Sequence, residues 1–182
     1  AVNSLETMAC EILTSSKLKI GDKIKIKLIK KLSECSGHLG VAGGQYLDLS
    51  YEKRKVSKKK IIDMEIKKTG KLFSFCCAAP AIIKKKNNQE IKFLENLGSK
   101  IGLLFQIADD LIDFHGNSKS AGKQTGKDQK KGKATLISLM GYTDAVKYCD
   151  RIIIDTNKTL KKYGSKSKNI KDTLEYILKR DR

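Results

Sequence analysis

The sequence is poor in the residue types that mark several protein classes. Its 182 residues include one proline, no tryptophan and only 6% aromatic residues. The five cysteines are scattered, odd in number and without a CxxC pair, which excludes a disulfide scaffold and a zinc cluster. The longest apolar stretch, residues 72–83, contains Pro80 and is too short to cross a bilayer. These absences favour one domain with buried thiols in a reducing compartment, the cytoplasm or an organelle matrix.

Basic residues dominate the charge. Lysine and arginine total 38 against 20 acidic residues, which gives a formal net charge of +18. Such a charge attracts polyanions, and nucleic acid is the first class to consider. However, only four basic residues are arginines, although base recognition depends on the arginine fork, and aromatic stacking residues are not interleaved with the lysines. The pattern favours a lysine-rich solvated surface without a specific nucleic-acid partner, and a basic helical module that binds polyanions stays as the alternative.

Apolar residues recur at helical spacing along the whole chain, which predicts an all-α bundle. The predicted helices cover residues 1–15, 22–50, 57–84, 88–114, 131–140, 143–163 and 167–181. The longest break, residues 115–130, is rich in glycine and lysine, and its backbone N–H and ammonium groups are suited to phosphate. The chain begins within helical sequence and without an initiator methionine, so we expect an upstream part to be absent.

The most informative segment is residues 101–114, IGLLFQIADDLIDF. At 100° per residue, its polar side chains share an arc of about 100° opposite an apolar face. These side chains are Gln106, Asp109, Asp110 and Asp113. Closely spaced carboxylates repel one another unless a cation compensates. Oxygen ligands alone suit Mg²⁺, with Mn²⁺ as an alternative, whereas an acidic face paired with lysines would explain the same pattern without a metal.

Two shorter motifs carry weaker signals. Gln45 and Asp48 of GGQYLD lie at i and i+3 on one predicted helix face. Lys68 and Thr69 of KKTGKL offer an ammonium and a hydroxyl to an anion beside Gly70. Taken alone, each motif is typical of packing or of surface.

Together and in this order, the motifs GGQYLDL, KKTGKL, GLLFQIADDLIDF, GKQTGKD and KGKAT resemble the C-terminal part of the trans-prenyltransferase family, the farnesyl and geranylgeranyl diphosphate synthases. ADDLIDF after Phe105 and Gln106 is similar to the second aspartate-rich motif of that family. The resemblance implies an isoprenoid-synthase-type helical bundle, usually dimeric. It also implies a Mg²⁺-dependent condensation of an allylic diphosphate (dimethylallyl, geranyl or farnesyl) with isopentenyl diphosphate, releasing pyrophosphate.

The resemblance also implies residue roles. Asp109 would be the strongest Mg²⁺ ligand, assisted by Asp110 and Asp113. Lys68 and Lys123 would bind the diphosphate of the allylic substrate, and Thr69 and Gln106 would lie near the reacting carbons. Gln45 would line the cavity. Asp128 and Lys133 would bind metal-bound water and phosphate. Leu136 departs from the family pattern, which frequently has an aromatic residue there, so the helix after Thr135 is expected to start differently.

One element of the family pattern is not found in residues 1–182, namely the first aspartate-rich motif with its arginines and the basic segment for isopentenyl diphosphate. We therefore expect these residues to be the C-terminal part of a single prenyl-synthase domain, incomplete at its N-terminus and inactive alone. The alternatives are a terpene cyclase, whose second metal motif usually has an Asn/Ser/Glu pattern, and a noncatalytic subunit.

Overall fold

The computed structural model describes residues 2–115 and 132–179, and all regular structure in these two ranges is helical. The first range contains α1 (Val2–Thr14), α2 (Asp22–Ser36), α3 (Val41–Ser50), α4 (Lys58–Glu65), a π-helical turn (Ile66–Gly70), α5 (Lys71–Ile83) and α6 (Asn88–His115). The second contains α7 (Leu136–Met140), α8 (Tyr142–Leu160), a 3₁₀ turn (Lys161–Ser167) and α9 (Lys168–Lys179). The all-α prediction is confirmed.

Helix α6 is the central element of the bundle. It packs against α5, the π turn, α8 and α9, and its Leu104 and Ile107 are fully buried. Apolar residues at spacings of three and four along α6 bury one face against these neighbours. Most of the folding energy of this helix therefore comes from the apolar face, which fixes the direction of its polar face.

Close contact between α6 and the π turn depends on glycine. A Cβ at Gly102 would lie 2.6 Å from the Cα of Gly70, so any side chain there would push the two elements apart. The same contact sets the distance between the polar face of α6 and the residues of the π turn.

Two of the predicted helices have different boundaries in the structure. The predicted helix over residues 22–50 is wrong at residues 37–40, where the chain leaves α2 and starts α3. Gly40 has φ −130° and ψ −128°, and a Cβ at this position would lie 1.8 Å from the carbonyl oxygen of Cys35. Helix α7 begins at Leu136 rather than at residue 131, because Thr135 caps it: its Oγ1 accepts a hydrogen bond from the Ser138 backbone N–H.

The cysteines are free thiols with different exposures. Cys35 and Cys149 are buried as predicted, whereas Cys76 is exposed and Cys10 and Cys77 are half-buried. The prediction of buried thiols is therefore wrong for Cys76, which lies on the outer face of α5. None of the described helices is long and apolar enough to cross a membrane.

Candidate active site

A chain of hydrogen bonds joins the polar face of α6 to the π turn. The Thr69 hydroxyl donates to Gln106 Oε1 at 2.8 Å, and Gln106 Nε2 donates to Asp110 Oδ1 at 2.8 Å. The amide of Gln106 is thus fixed from both ends, so its oxygen and nitrogen cannot exchange places without losing both bonds. Thr69 and Gln106, 37 positions apart in sequence, form one rigid polar unit with Asp110.

A buried ion pair lies beside this chain. Lys68 Nζ is 2.6 Å from Asp48 Oδ2, and Asp48 is only 6% exposed. Lys133 Nζ lies 3.9 Å from the same oxygen. Two ammonium groups, one from the π turn and one from the segment before α7, therefore converge on one carboxylate of α3.

The backbone explains why α3 comes so close to Lys68. A Cβ at Gly44 would lie 2.2 Å from the backbone nitrogen of Lys68, so α3 contacts the π turn directly through its glycine. The π turn adds a residue to the helical ladder between α4 and α5, which re-aims the side chains that follow. Asp48 lies one turn beyond Gly44 on the same helix face and reaches Lys68 for this reason.

These residues line two adjoining cavities. The first is lined by Asp48, Met64, Glu65, Lys68, Gln106, Asp110, Lys133, Ala134 and Thr135. The second, of about 70 Å³, is lined by Asp110, Asp113, Phe114, Lys133, Thr135, Ile137 and Ser138. Asp110, Lys133 and Thr135 belong to both, so the buried acids of α6 and the two lysines share one polar region.

Glu65 is a site residue that the sequence analysis missed. It is 1% exposed, and neither carboxylate oxygen has a hydrogen-bond partner within the described ranges. Burial raises the pKa of Glu65 well above its usual range, the negative charge of Asp110 raises it further, and Lys68 opposes the change. Its spacing of four from the buried Ile61, and of three from Lys68, is the signal that could have placed it on this face.

Glu65→Gln is expected to stabilise the protein at neutral and alkaline pH. When the pKa of a carboxyl is higher in the folded than in the unfolded protein, the folded protein becomes less stable as pH rises above the unfolded pKa. The loss of stability is complete above the folded pKa. A tenfold difference in proton affinity between the folded and unfolded states corresponds to about 1.4 kcal/mol, and each kcal/mol moves Tm by about 2–4 °C in a domain of this size. In melting curves from about pH 4 to about pH 9, the Tm of the variant should exceed that of wild type increasingly as pH rises.

The matched control for Glu65 is Glu6→Gln, because Glu6 is exposed on α1. Its melting curves should follow wild type at every pH. Identical pH dependence of the Glu65 and Glu6 variants would show that the Glu65 carboxyl is not held in a buried, uncompensated position.

Other predicted site residues lie apart from this region or outside the described ranges. Gln45 is exposed on α3, so the face it was expected to share with Asp48 does not turn it towards the cavities. Asp109 is half-buried and lines neither cavity, whereas Asp110 and Asp113 are each 6% exposed and do. Lys123 and Asp128 fall among residues 116–131, outside the part that the structure describes.

The donor set of α6 fits a hard divalent cation. Within residues 2–115 and 132–179, no three His, Cys, Asp or Glu side chains converge as in a closed protein-only metal site. Mg²⁺ does not require such a cage, since it usually keeps several waters and uses one or two carboxylates together with substrate phosphate. Buried carboxylates beside two lysines could supply oxygen ligands and phosphate-binding charges in the same place.

The fold and the site define an all-α bundle with an aspartate-bearing central helix and a lysine-lined polar pocket. The polyprenyl synthetase family matches residues 1–177. The chain is 31% identical over 182 residues to farnesyl diphosphate synthase of Micrococcus luteus, and 30% identical over 187 residues to that of Escherichia coli K12. Each alignment covers 100% of this chain and 62% of the relative, so the chain spans somewhat less than two thirds of their length.

The chain belongs to the polyprenyl synthetase family. Among solved structures, it is similar to a geranyltransferase from Helicobacter pylori complexed with magnesium and isoprenyl diphosphate. The TM-score is 0.81 at 26% identity, covering 97% of this chain and 57% of that one. An FPP/GFPP synthase from Zymomonas mobilis has a TM-score of 0.79 at 32% identity, covering 96% of this chain and 58% of that one.

Proposed function

We propose that the full-length protein elongates prenyl chains by condensing an allylic diphosphate with isopentenyl diphosphate, releasing pyrophosphate. One observation carries this proposal: Thr69, Gln106 and Asp110, which come from two separate motifs, form one hydrogen-bonded unit beside Lys68 and its carboxylate. The magnesium and isoprenyl diphosphate bound to the Helicobacter pylori geranyltransferase support this substrate class.

In this proposal, Lys68 and Lys133 bind the diphosphate of the allylic substrate. Each ammonium has three donors, so Lys68 can keep its bond to Asp48 and still donate to phosphate oxygens. Asp109, Asp110 and Asp113 would hold Mg²⁺, with Lys123 and Asp128 as further phosphate and metal-water residues. When bound, Mg²⁺ supplies positive charge that stabilises the departing pyrophosphate.

The chemistry breaks one bond and makes another. The allylic C–O bond breaks, the electron pair leaves with pyrophosphate, and the isopentenyl alkene attacks the resulting carbocation to form a C–C bond. The released pyrophosphate accepts the proton that is lost. Phe73 lies one turn beyond Thr69 on the chain, and its ring centroid is 5.6 Å from that of Phe105 on α6. In this proposal the two rings would form an apolar wall that keeps water from the cation.

Thermal stabilisation separates this function from generic polyanion binding. Pyrophosphate with Mg²⁺ should raise Tm, since a ligand at about 100 times its Kd stabilises by about 2.7 kcal/mol. Pyrophosphate without Mg²⁺ should raise it much less, and duplex DNA without Mg²⁺ should not match it. Equal stabilisation by DNA in the absence of Mg²⁺ would favour the basic polyanion-binding module instead.

We further propose that the described residues form the C-terminal part of one prenyl-synthase domain, which functions as a homodimer. Exposed apolar side chains on one face of α1 support the dimer. These are Leu5, Met8 and Ile12, which are 67%, 53% and 60% exposed. The free thiols support a reducing compartment such as the cytoplasm.

A further inference from the structure

Asp48 holds a position that the roles above do not account for. It is buried on α3, a helix that supplies neither Lys68 nor Lys133, yet both lysines approach it. Both distances end on the same atom, Oδ2. The two Nζ atoms are therefore no farther apart than the sum of 2.6 Å and 3.9 Å, which is a separation that neighbouring phosphoryl groups can bridge.

Two ammonium groups at this separation repel each other. The repulsion is strong here because both side chains are only about one fifth exposed, at 21% for Lys68 and 22% for Lys133. Without a counter-ion, each flexible four-carbon stem would swing its charge towards water. The negative charge of the fixed Asp48 carboxylate compensates the repulsion between the two ammonium groups.

The Asp48 carboxylate is itself fixed by the backbone. Gly44 places α3 against the backbone of Lys67 and Lys68, so Asp48 cannot withdraw from Lys68 without moving the whole helix. Its low exposure also means that water does not compete well for its oxygens. The carboxylate is thus a rigid reference point for two mobile cations.

We propose that Asp48 is a positioning residue that holds Lys68 and Lys133 together as a preformed diphosphate clamp. The proposal rests on the proposed function for the identity of the ligand. Asp48 itself makes no contact with diphosphate, since two carboxylate oxygens cannot donate a hydrogen bond to phosphate. Its contribution is preorganisation, which lowers the cost of ordering two long side chains on binding.

Asp48→Asn is the informative variant, because it keeps the size of the side chain and one acceptor for Lys68 while removing the charge. Simple electrostatics predicts tighter diphosphate binding, since an anion near the ligand has been removed. Positioning predicts the opposite, a loss of about tenfold in affinity, or about 1.4 kcal/mol. The two hypotheses therefore predict affinity changes of opposite sign for the Asp48→Asn variant. Calorimetric titration of the full-length protein with pyrophosphate and Mg²⁺ measures this change.

A double-mutant cycle excludes a merely structural role. In a background with Lys68→Ala and Lys133→Ala, the Asp48→Asn change should alter affinity by less than about twofold, because there is nothing left to position. An equal loss in both backgrounds would overturn the proposal, as would unchanged or tighter binding by the single variant.

Crystal structures without ligand provide a second, independent readout. In wild type, both Nζ atoms should lie at Asp48 Oδ2, and in Asp48→Asn the two nitrogens should move apart. Lysines that keep their places in the variant would overturn the proposal. If wild type fails to bind pyrophosphate at all, the proposed function fails, and the lysine positions alone then decide for or against positioning by Asp48.

Discussion

Asp109→Ala should lower kcat of the proposed prenyl transfer by the full-length protein at least about 100-fold, which corresponds to about 2.7 kcal/mol of lost transition-state stabilisation. The carboxylate lies on the polar face of α6, at the position that resembles the first aspartate of the family motif. In the proposed function Asp109 would hold Mg²⁺, so its removal would weaken the positive charge that stabilises the departing pyrophosphate. The measurement is the steady-state rate at saturating substrates and Mg²⁺.

Two further variants make the Asp109 result specific. Asp113→Ala should lower kcat less than Asp109→Ala, since Asp113 is expected to be the weaker Mg²⁺ ligand. Asp63→Ala is the matched control, because Asp63 is an exposed aspartate on α4, and it should keep close to normal turnover. Near-normal turnover of the Asp109 variant at saturating Mg²⁺ would contradict the assignment.

Lys68→Ala and Lys133→Ala should each weaken binding of pyrophosphate with Mg²⁺ by about 10- to 150-fold. Loss of a charge-assisted hydrogen bond costs about 1.5–3 kcal/mol, whereas a surface substitution usually changes stability by less than about 0.5 kcal/mol. Lys68 is expected to show the larger effect, because its ammonium is held closer to Asp48 Oδ2, at 2.6 Å against 3.9 Å for Lys133. Calorimetric titration measures both.

Lys59→Ala separates a specific phosphate contact from general charge attraction. Lys59 is exposed on α4, nine positions before Lys68, so its removal changes the net charge equally. The affinity of the Lys59→Ala variant for pyrophosphate should stay within about twofold of wild type, because Lys59 lies outside the proposed diphosphate site. If the variants at positions 68 and 133 bind as tightly as this control, the diphosphate site lies elsewhere.

The acidic face of α6 could be predicted from sequence because helical periodicity alone determines it. Gln106 and Asp110 are four residues apart, and a helix brings such residues together whatever surrounds it. The contact between Thr69 and Gln106 could not be derived in this way, since it depends on how the π turn packs against α6. Only the resemblance to a family placed these two residues near the same reacting carbons.

Other features depended on tertiary contacts that no local pattern reveals. The break between α2 and α3 follows from the close approach of Gly40 to the Cys35 carbonyl, and the apolar periodicity continues through it. Glu65 looks like one more charged residue in a lysine-rich helix, and only the packing of α4 shows it to be buried. Gln45 is exposed on α3 among the described residues, so its cavity position stays a prediction.

The most direct measurement is product formation by the full-length protein. It would be incubated with an allylic diphosphate, radiolabelled isopentenyl diphosphate and Mg²⁺, and the products would be separated by chain length. We expect a longer allylic diphosphate and one equivalent of pyrophosphate for each condensation, both abolished by a chelator and restored by added Mg²⁺. Binding of both substrates without any elongated product, under conditions where a known prenyl synthase turns over, would contradict it.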